Sequence, residues 1–130
     1  MLYRAGVPSG SAKVLLLGWS YKAEVGDPRE TPAEPLTAAL LAKEIEVYAY
    51  DPHLNPSQFP DQVTVVEDIT TASGFDLAIL VTAHDNCVNI DWNGLGKRMR
   101  KPILYDGRRV LDLDSISDMG WQVYAVGRPQ

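Results

Sequence analysis

The fold is decided by residues 13–35, which read KVLLLGWSYKAEVGDPRETPAEP. The stretch begins with a short apolar run, Val14 to Leu17, closed by Gly18, which is typical of a strand covered on both faces of a sheet. It ends with Thr31-Pro32-Ala33-Glu34, which predicts a capping box at the start of a helix, with the Thr31 hydroxyl bonded to the amide of Glu34. The order strand, loop, helix follows from this stretch alone.

The predicted loop, residues 19–30, is roughly twice as long as strand-to-helix loops usually are, which have about 2–6 residues. Its polar and charged side chains include Tyr21, Lys22, Glu24, Asp27, Arg29 and Glu30. In a doubly wound sheet this loop lies at the carboxyl end of the strands, where ligands bind. A ligand-binding loop and a solvated loop with incidental ion pairs are both compatible with this composition.

The rest of the chain continues the alternation of strands and helices. Further strands are predicted at Ile45–Tyr50, Val63–Val66, Leu77–Val81, Ile103–Tyr105 and Gln122–Val126. Helices are predicted from Pro32 to about Lys43, from Trp92 to about Arg100 and over Leu111–Met119, with a turn or two of helix over Ile69–Ser73. The strand at Leu77–Val81 is as apolar as the first and is expected beside it in the centre, with the last strand at an edge.

These elements predict a three-layer α/β/α Rossmann-like domain with a mostly parallel sheet of about five to six strands. The length of 130 residues suits one domain, predicted over residues 13–130 after a lead-in or linker at residues 1–12. The net charge of −5 and the absence of a basic stripe argue against nucleic-acid binding. No apolar run approaches about 18 residues, so no membrane span is expected.

Two features outside the long loop, a basic cluster and a single cysteine, are not expected to form a binding site. Lys97, Arg98, Arg100 and Lys101 form a short basic cluster, expected to be a solvated helix end. A single cysteine, Cys87, excludes an internal disulfide framework and suits a reducing cytoplasm.

Asp51 follows the second predicted strand, where dinucleotide-binding folds place the acid that binds ribose. However, Gly18-Trp19-Ser20-Tyr21 lacks the second and third glycines of G-x-G-x-x-G, and Trp19 and Tyr21 would obstruct close approach of a pyrophosphate. The favoured interpretation of Asp51 is therefore a strand-end or turn residue.

His84, Asp85 and Cys87 together could suggest a metal site or a nucleophile pair. Zinc requires four protein ligands, or three and a water, and no matching half-site occurs. We therefore predict no metal site, and a loop histidine at position 84 that caps or packs at the pocket edge. Arg108 and Arg109 follow the predicted turn Asp106-Gly107; they suit phosphate binding, or an ion pair with Asp112 or Asp114.

One long motif resembles the signature that opens the C-terminal domain of nucleotide-sugar 6-dehydrogenases, the UDP-glucose and GDP-mannose dehydrogenase family. It reads Gly18-x-x-Tyr21-Lys22-x-x-Val25-x-Asp27-x-Arg29-Glu30-x-Pro32. The likeness continues through Tyr50-Asp51-Pro52, Val81-Thr82-Ala83-His84 and Asp106-Gly107-Arg108, and covers about residues 12–127. Members of this family oxidise the sugar C6 twice, from alcohol to carboxylate, with two NAD.

The resemblance implies a role for each motif residue. Tyr21, Lys22 and Arg108 would contact the nucleotide sugar, a UDP-sugar or GDP-mannose. Arg29 would reach NAD held mainly by an N-terminal domain, and Asp27 and Glu30 would hold the cations in place. No catalytic residue is expected in this chain, because the catalytic cysteine of the family lies in the N-terminal part of the enzyme and Cys87 matches no such motif.

The chain lacks G-x-G-x-x-G and has no room for a dinucleotide domain, so alone it is not expected to oxidise anything. It would work with the missing N-terminal domains or a partner chain, in the cytoplasm, in polysaccharide biosynthesis, and homo-oligomers are possible in such a family. Two other functions stay open at this point. One is a stand-alone mononucleotide- or NAD-binding regulatory module that uses Asp51 for a ribose; the other is a structural assembly domain.

Overall fold

A sheet with six strands forms the centre of the computed structural model, which describes residues 12–20 and 31–125. The strands are β1 (Lys13–Leu17), β2 (Glu46–Tyr50), β3 (Thr64–Val65), β4 (Leu77–Leu80), β5 (Ile103–Asp106) and β6 (Gln122–Ala125). Their order is β3-β2-β1-β4-β5-β6 and every pairing is parallel. This is the order of doubly wound dinucleotide-binding sheets, so the predicted fold class is confirmed.

Four α-helices connect the strands in the described ranges: α1 (Ala33–Ala42), α2 (Asp85–Val88), α3 (Trp92–Arg98) and α4 (Leu113–Asp118). Two single 3-10 turns, Pro56–Gln58 and Ile69–Thr71, lie in the connections around β3. None of the helices within residues 12–20 and 31–125 has the length and apolar character that a membrane crossing requires.

The strand β1 lies between two hydrophobic cores, which is why its run has no polar position. Val14 and Leu16 pack in one core with Ala33 of α1, and Leu15 and Leu17 pack in the other with Leu95 of α3. All four β1 residues from Val14 onward are completely inaccessible to solvent. β4 pairs with β1 in the centre of the sheet, and β6 forms one edge, both as predicted.

The predicted capping box at the start of α1 is wrong in its hydrogen bonds. The Thr31 hydroxyl accepts from the amide of Ala33 at 3.1 Å, and the amide of Glu34 donates instead to the Thr31 carbonyl at 3.3 Å. Pro32 already has helical dihedral angles, which bring the Ala33 amide within reach of the Thr31 hydroxyl. At the other end, Glu44 occupies the left-handed conformation that a glycine usually takes after a helix, with φ +61°.

The basic cluster near the end of α3 is not merely a solvated helix end. Arg98 donates to the carbonyl oxygens of Ala72, at 2.8 Å, and Ile69, at 3.2 Å. The Arg100 guanidinium donates to the fully buried carboxylate of Asp76 at 2.7 Å, and this hydrogen bond and the attraction of opposite charges raise the pKa of Arg100. These two side chains therefore fix the connection before β4 at the amino edge of the sheet.

Candidate functional site

The ends of three neighbouring strands form one row at the carboxyl edge of the sheet. Leu17 of β1 lies beside Leu80 of β4, which lies beside Asp106 of β5. Because adjacent strands are about 4.8 Å apart, the row is roughly 10 Å long. The order of the strands also reverses between β1 and β4, and open α/β sheets bind ligands at that point. The loops after β1 and β5 thus begin on either side of the expected binding crevice.

Gly18 permits the close contact of the loops after β1 and β4. Its φ is +93°, and a Cβ atom at this position would stand 2.6 Å from Cβ of Thr82 and 2.8 Å from the Thr82 backbone. The Thr82 hydroxyl donates to the carbonyl of Ser20 at 2.6 Å, which joins the same two segments. The glycine that opens the motif is therefore required by packing within the protein.

The carboxylate of Asp51 organises the beginning of the loop after β1. Its Oδ2 accepts from the amides of Trp19, at 2.8 Å, and Ser20, at 2.7 Å, and from the Ser20 hydroxyl at 2.7 Å. Its Oδ1 accepts from the amide of His53 at 2.9 Å. Burial acts to raise the pKa of Asp51, but these hydrogen bonds outweigh it and lower the pKa overall. Asp51 is a strand-end residue, as the sequence indicated, and its carboxylate is turned into the protein.

His84 packs against this carboxylate. Its Nε2 lies 3.0 Å from Oδ2 of Asp51, and both side chains are completely buried. The ring of His53 packs on the ring of His84 with 4.3 Å between their centroids. The expectation of a packing histidine is confirmed, whereas the His84 side chain makes no cap hydrogen bond to α2. Cys87 is buried, and no group of three or more His, Cys, Asp or Glu residues in the described ranges could hold a metal ion.

The sequence predicts that Trp19 obstructs the carboxyl edge, but the structure shows that it does not. It is 1% exposed and packs in the core against Phe59, with ring centroids 5.8 Å apart. Asp51 holds the backbone amides of Trp19 and Ser20, and the indole ring lies in the core on one side of the sheet.

Asp106, the last residue of β5, organises the segment 107–111, the arginine loop. Its Oδ1 accepts from the amides of Arg108 and Arg109, each at 2.8 Å, and its Oδ2 from those of Val110, at 2.9 Å, and Leu111, at 2.8 Å. The side chains of Arg108, Arg109 and Val110 are exposed. The turn predicted after this strand is confirmed, and the fixed backbone carries two guanidinium groups.

The structure distinguishes the two adjacent arginines. Arg109 has φ +56° and lines a cavity of about 390 Å³ together with Asp112 and Asp114. Arg108 does not line this cavity. Arg109 thus shares this cavity with two acidic residues, whereas Arg108 lies outside it and stays the arginine predicted to bind the ligand.

Of the residues predicted to form the site, the structure describes Arg108. The others, Tyr21, Lys22, Asp27, Arg29 and Glu30, lie outside the described residues, so the convergence of Lys22 with Arg108 stays a prediction. Sequence reasoning assigned no supporting role to Ser20, Thr82 or Asp106. The sequence signal for such a role is an aspartate at a strand end, because its side chain can bind the amides of the turn that follows. Asp51 directly follows β2, and Asp106 is the last residue of β5.

Residues 15–113 match the profile of the UDP-binding domain of the UDP-glucose/GDP-mannose dehydrogenase family. The chain is similar to UDP-glucose 6-dehydrogenase 4 of Oryza sativa subsp. japonica, with 29% identity over 143 residues, which covers 90% of this chain and 30% of the relative. UDP-glucose 6-dehydrogenase 3 of the same plant is 31% identical over 144 residues, with the same coverage. The chain thus spans about a third of the length of these relatives.

Two solved structures share the fold across almost the entire chain. The NDP-N-acetyl-D-galactosaminuronic acid dehydrogenase of Methanosarcina mazei Go1 superposes with a TM-score of 0.86 at 25% identity, over 98% of this chain and 27% of that one. The UDP-D-ManNAc dehydrogenase of Pyrococcus horikoshii superposes with a TM-score of 0.79 at 26% identity, over 98% of this chain and 28% of that one.

Proposed function

The chain belongs to the UDP-glucose/GDP-mannose dehydrogenase family, and from that premise we propose that it is the nucleotide-sugar-binding domain of an NAD-dependent 6-dehydrogenase. Its ligand is a UDP-sugar or GDP-mannose, whose C6 alcohol the complete enzyme oxidises to a carboxylate. NAD is bound mainly by a domain outside this chain, and the chain alone is not active. The single cysteine suits a cytoplasmic protein, and the activity suits polysaccharide biosynthesis.

The observation that carries the proposal is the exposed Arg108 on a backbone fixed by Asp106, at the same edge as the loop after β1. A guanidinium group binds phosphate through two parallel hydrogen bonds, and it keeps its charge at every physiological pH. Lys22 follows Leu17 by five residues, and Leu17 and Asp106 are separated in the sheet by one strand. One cation from each loop can therefore reach a diphosphate in the crevice between them.

Within the proposal each predicted residue keeps its role. Tyr21, Lys22 and Arg108 contact the nucleotide sugar, and Arg29 reaches NAD. Asp27 and Glu30 hold the cationic side chains in place. The proposal assigns no role to His84 and Cys87, which are both buried.

Isothermal titration of the chain with UDP, UDP-glucose and GDP-mannose tests the proposal. We expect at least one of these ligands to bind, and Lys22→Ala and Arg108→Ala each to weaken its affinity by roughly tenfold or more, because each removes a charged hydrogen bond. Lys97→Ala is the matched control, because Lys97 is an exposed cation near the amino edge of the sheet. No heat with any ligand above about 1 mM, which corresponds to only about −4 kcal/mol, would contradict the proposal.

Titration with NAD and sedimentation test the two other functions considered. A stand-alone NAD-binding module predicts heat with NAD, but the carboxylate of Asp51 that would bind a ribose is buried and holds four protein hydrogen bonds beside His84. An assembly domain predicts a stable oligomer without ligand dependence, which sedimentation would reveal.

A further inference from the structure

We infer that Asp106 is a positioning residue of the nucleotide-sugar site, which holds the arginine loop so that Arg108 meets the ligand in one fixed place. The inference rests on the proposed function. Asp106 makes no contact with the ligand in this account, since its side chain is completely buried. It acts through the backbone of the residues that follow it.

The carboxylate binds the arginine loop at every residue that has an exposed side chain. Both of its oxygens accept two amide hydrogens each, from four consecutive residues, at 2.8 to 2.9 Å. Hydrogen bonds to an ionised carboxylate are stronger than neutral ones. Four of them onto one side chain therefore fix the loop more firmly than its surface position alone would allow.

Apart from Leu111, which packs against the core that contains Leu15 and Leu17, the side chains of the arginine loop give it little other support. Arg108 and Arg109 are exposed, and Val110 is 50% exposed, so none of the three is anchored in the core. Loops with few buried apolar contacts open easily. Without the carboxylate, ligand binding would have to order this backbone, and that ordering would reduce affinity.

The loop is also fixed where it leaves β5. The Gly107 amide donates to the carbonyl of Leu80 at 3.1 Å, and a Cβ on Gly107 would stand 2.7 Å from that oxygen. The loop thus lies against the end of β4, next to the crevice between β4 and β1. The sheet therefore fixes the first residue of the loop, and the Asp106 carboxylate holds the residues after it, including Arg108.

Asp76 provides a matched control for Asp106. It is also completely buried and also accepts an amide hydrogen, from Lys13 at 2.9 Å, but it lies before β4 at the opposite edge of the sheet. Asp106→Asn and Asp76→Asn each place an amide nitrogen against hydrogen-bond donors, so both should lower stability. Only the first should change ligand affinity.

The test is a double-mutant cycle on UDP affinity, measured by titration at a temperature where each variant is folded. We expect Asp106→Asn to weaken UDP binding by roughly tenfold and Arg108→Ala by roughly tenfold or more. The double variant should bind no more weakly than Arg108→Ala alone, because Asp106 acts through that side chain. Asp76→Asn should bind UDP as the unaltered chain does.

Other results would overturn the inference. Asp106→Asn with unaltered affinity, or losses that add in the double variant, would contradict it while the proposed function stands. If the unaltered chain does not bind UDP or the other nucleotide sugars, the proposed function fails and the inference fails with it. Should Asp106→Asn not fold, hydrogen exchange in the unaltered chain decides: slow exchange at the amides of residues 108–111 supports the inference, and exchange as fast as in an exposed loop overturns it.

Discussion

The Nε2 atom of His84 lies 3.0 Å from Oδ2 of Asp51, in a place that solvent does not reach. The two residues come from the segments after β4 and β2, which flank β1. Since an ionised carboxylate only accepts hydrogen bonds, the imidazole must donate through Nε2. The pair therefore joins the segments after β2, β1 and β4, which are neighbours at the carboxyl edge. It holds the segment after β1, from which the predicted ligand loop begins.

Replacing His84 by leucine is expected to lower the free energy of unfolding by about 1–3 kcal/mol, because a buried carboxylate loses a donor. His84→Gln keeps an amide donor and should recover part of that loss. Urea denaturation of both variants measures the difference. Equal stability of the leucine and glutamine variants would show that the hydrogen bond contributes nothing.

The lowered pKa of Asp51 predicts acid sensitivity. An aspartate in the unfolded chain has a pKa of about 3.9, above that of folded Asp51, so its stabilising effect is complete above about pH 4 and is lost as the pH falls through the folded pKa. Asp51→Asn should be less stable than the unaltered chain at pH 7. Between about pH 5 and about pH 2, roughly one unit above and two units below the unfolded pKa, the variant should lose less stability than the unaltered chain does. Urea unfolding across this range measures it, with Asp61→Asn, an exposed carboxylate, as the control.

Gly18→Ala should destabilise the chain more than Gly74→Ala, although both glycines have positive φ. The left-handed backbone costs an alanine about 1–2 kcal/mol at either position. At Gly18 the new Cβ also meets Thr82 at 2.6 Å, whereas at Gly74 it meets nothing within 4 Å, so overpacking adds about 1–3 kcal/mol only at the first. Denaturation midpoints compare the two, and equal losses would contradict the close contact.

Arg98→Ala should lower stability by about 1–2 kcal/mol, because two carbonyl oxygens lose a charged donor. Lys97→Ala, at the preceding position of the same helix, should change stability by less than about 0.5 kcal/mol, since Lys97 is exposed. A loss at Arg98 as small as that at Lys97 would restore the interpretation of this cluster as one uniform solvated surface.

The sheet was largely predictable because its strands are apolar runs with clear ends. Leu77 to Leu80 could be placed beside β1 from its composition alone, since only a central strand is buried on both faces. The short α2 was not predicted, because one turn of helix leaves no periodic pattern. The predicted end of α3, at about Arg100, lies two residues beyond the observed end at Arg98.

The groups that support the candidate site are harder to predict than the residues proposed to face the ligand. Arg108 follows from its charge and its place after a strand. That Asp106 binds four amides depends on the dihedral angles of the loop, including φ +56° at Arg109, which an arginine does not signal in a sequence. The bonds of Arg98 depend in the same way on the path of a distant segment, which ends near Ala72.

The central position of β1 has a consequence during synthesis of the chain. β1 is made before both of its neighbours, and the second of them begins only at Leu77. At a translation rate of about 5–20 residues per second, the roughly sixty intervening residues take about 3–12 s to emerge from the ribosome. Throughout that interval one side of the apolar run Val14–Leu17 has unpaired backbone groups, so nascent chains stalled before Leu77 should recruit chaperones. Chains stalled after Asp106, in which β1 and β4 both have two neighbours, should recruit fewer.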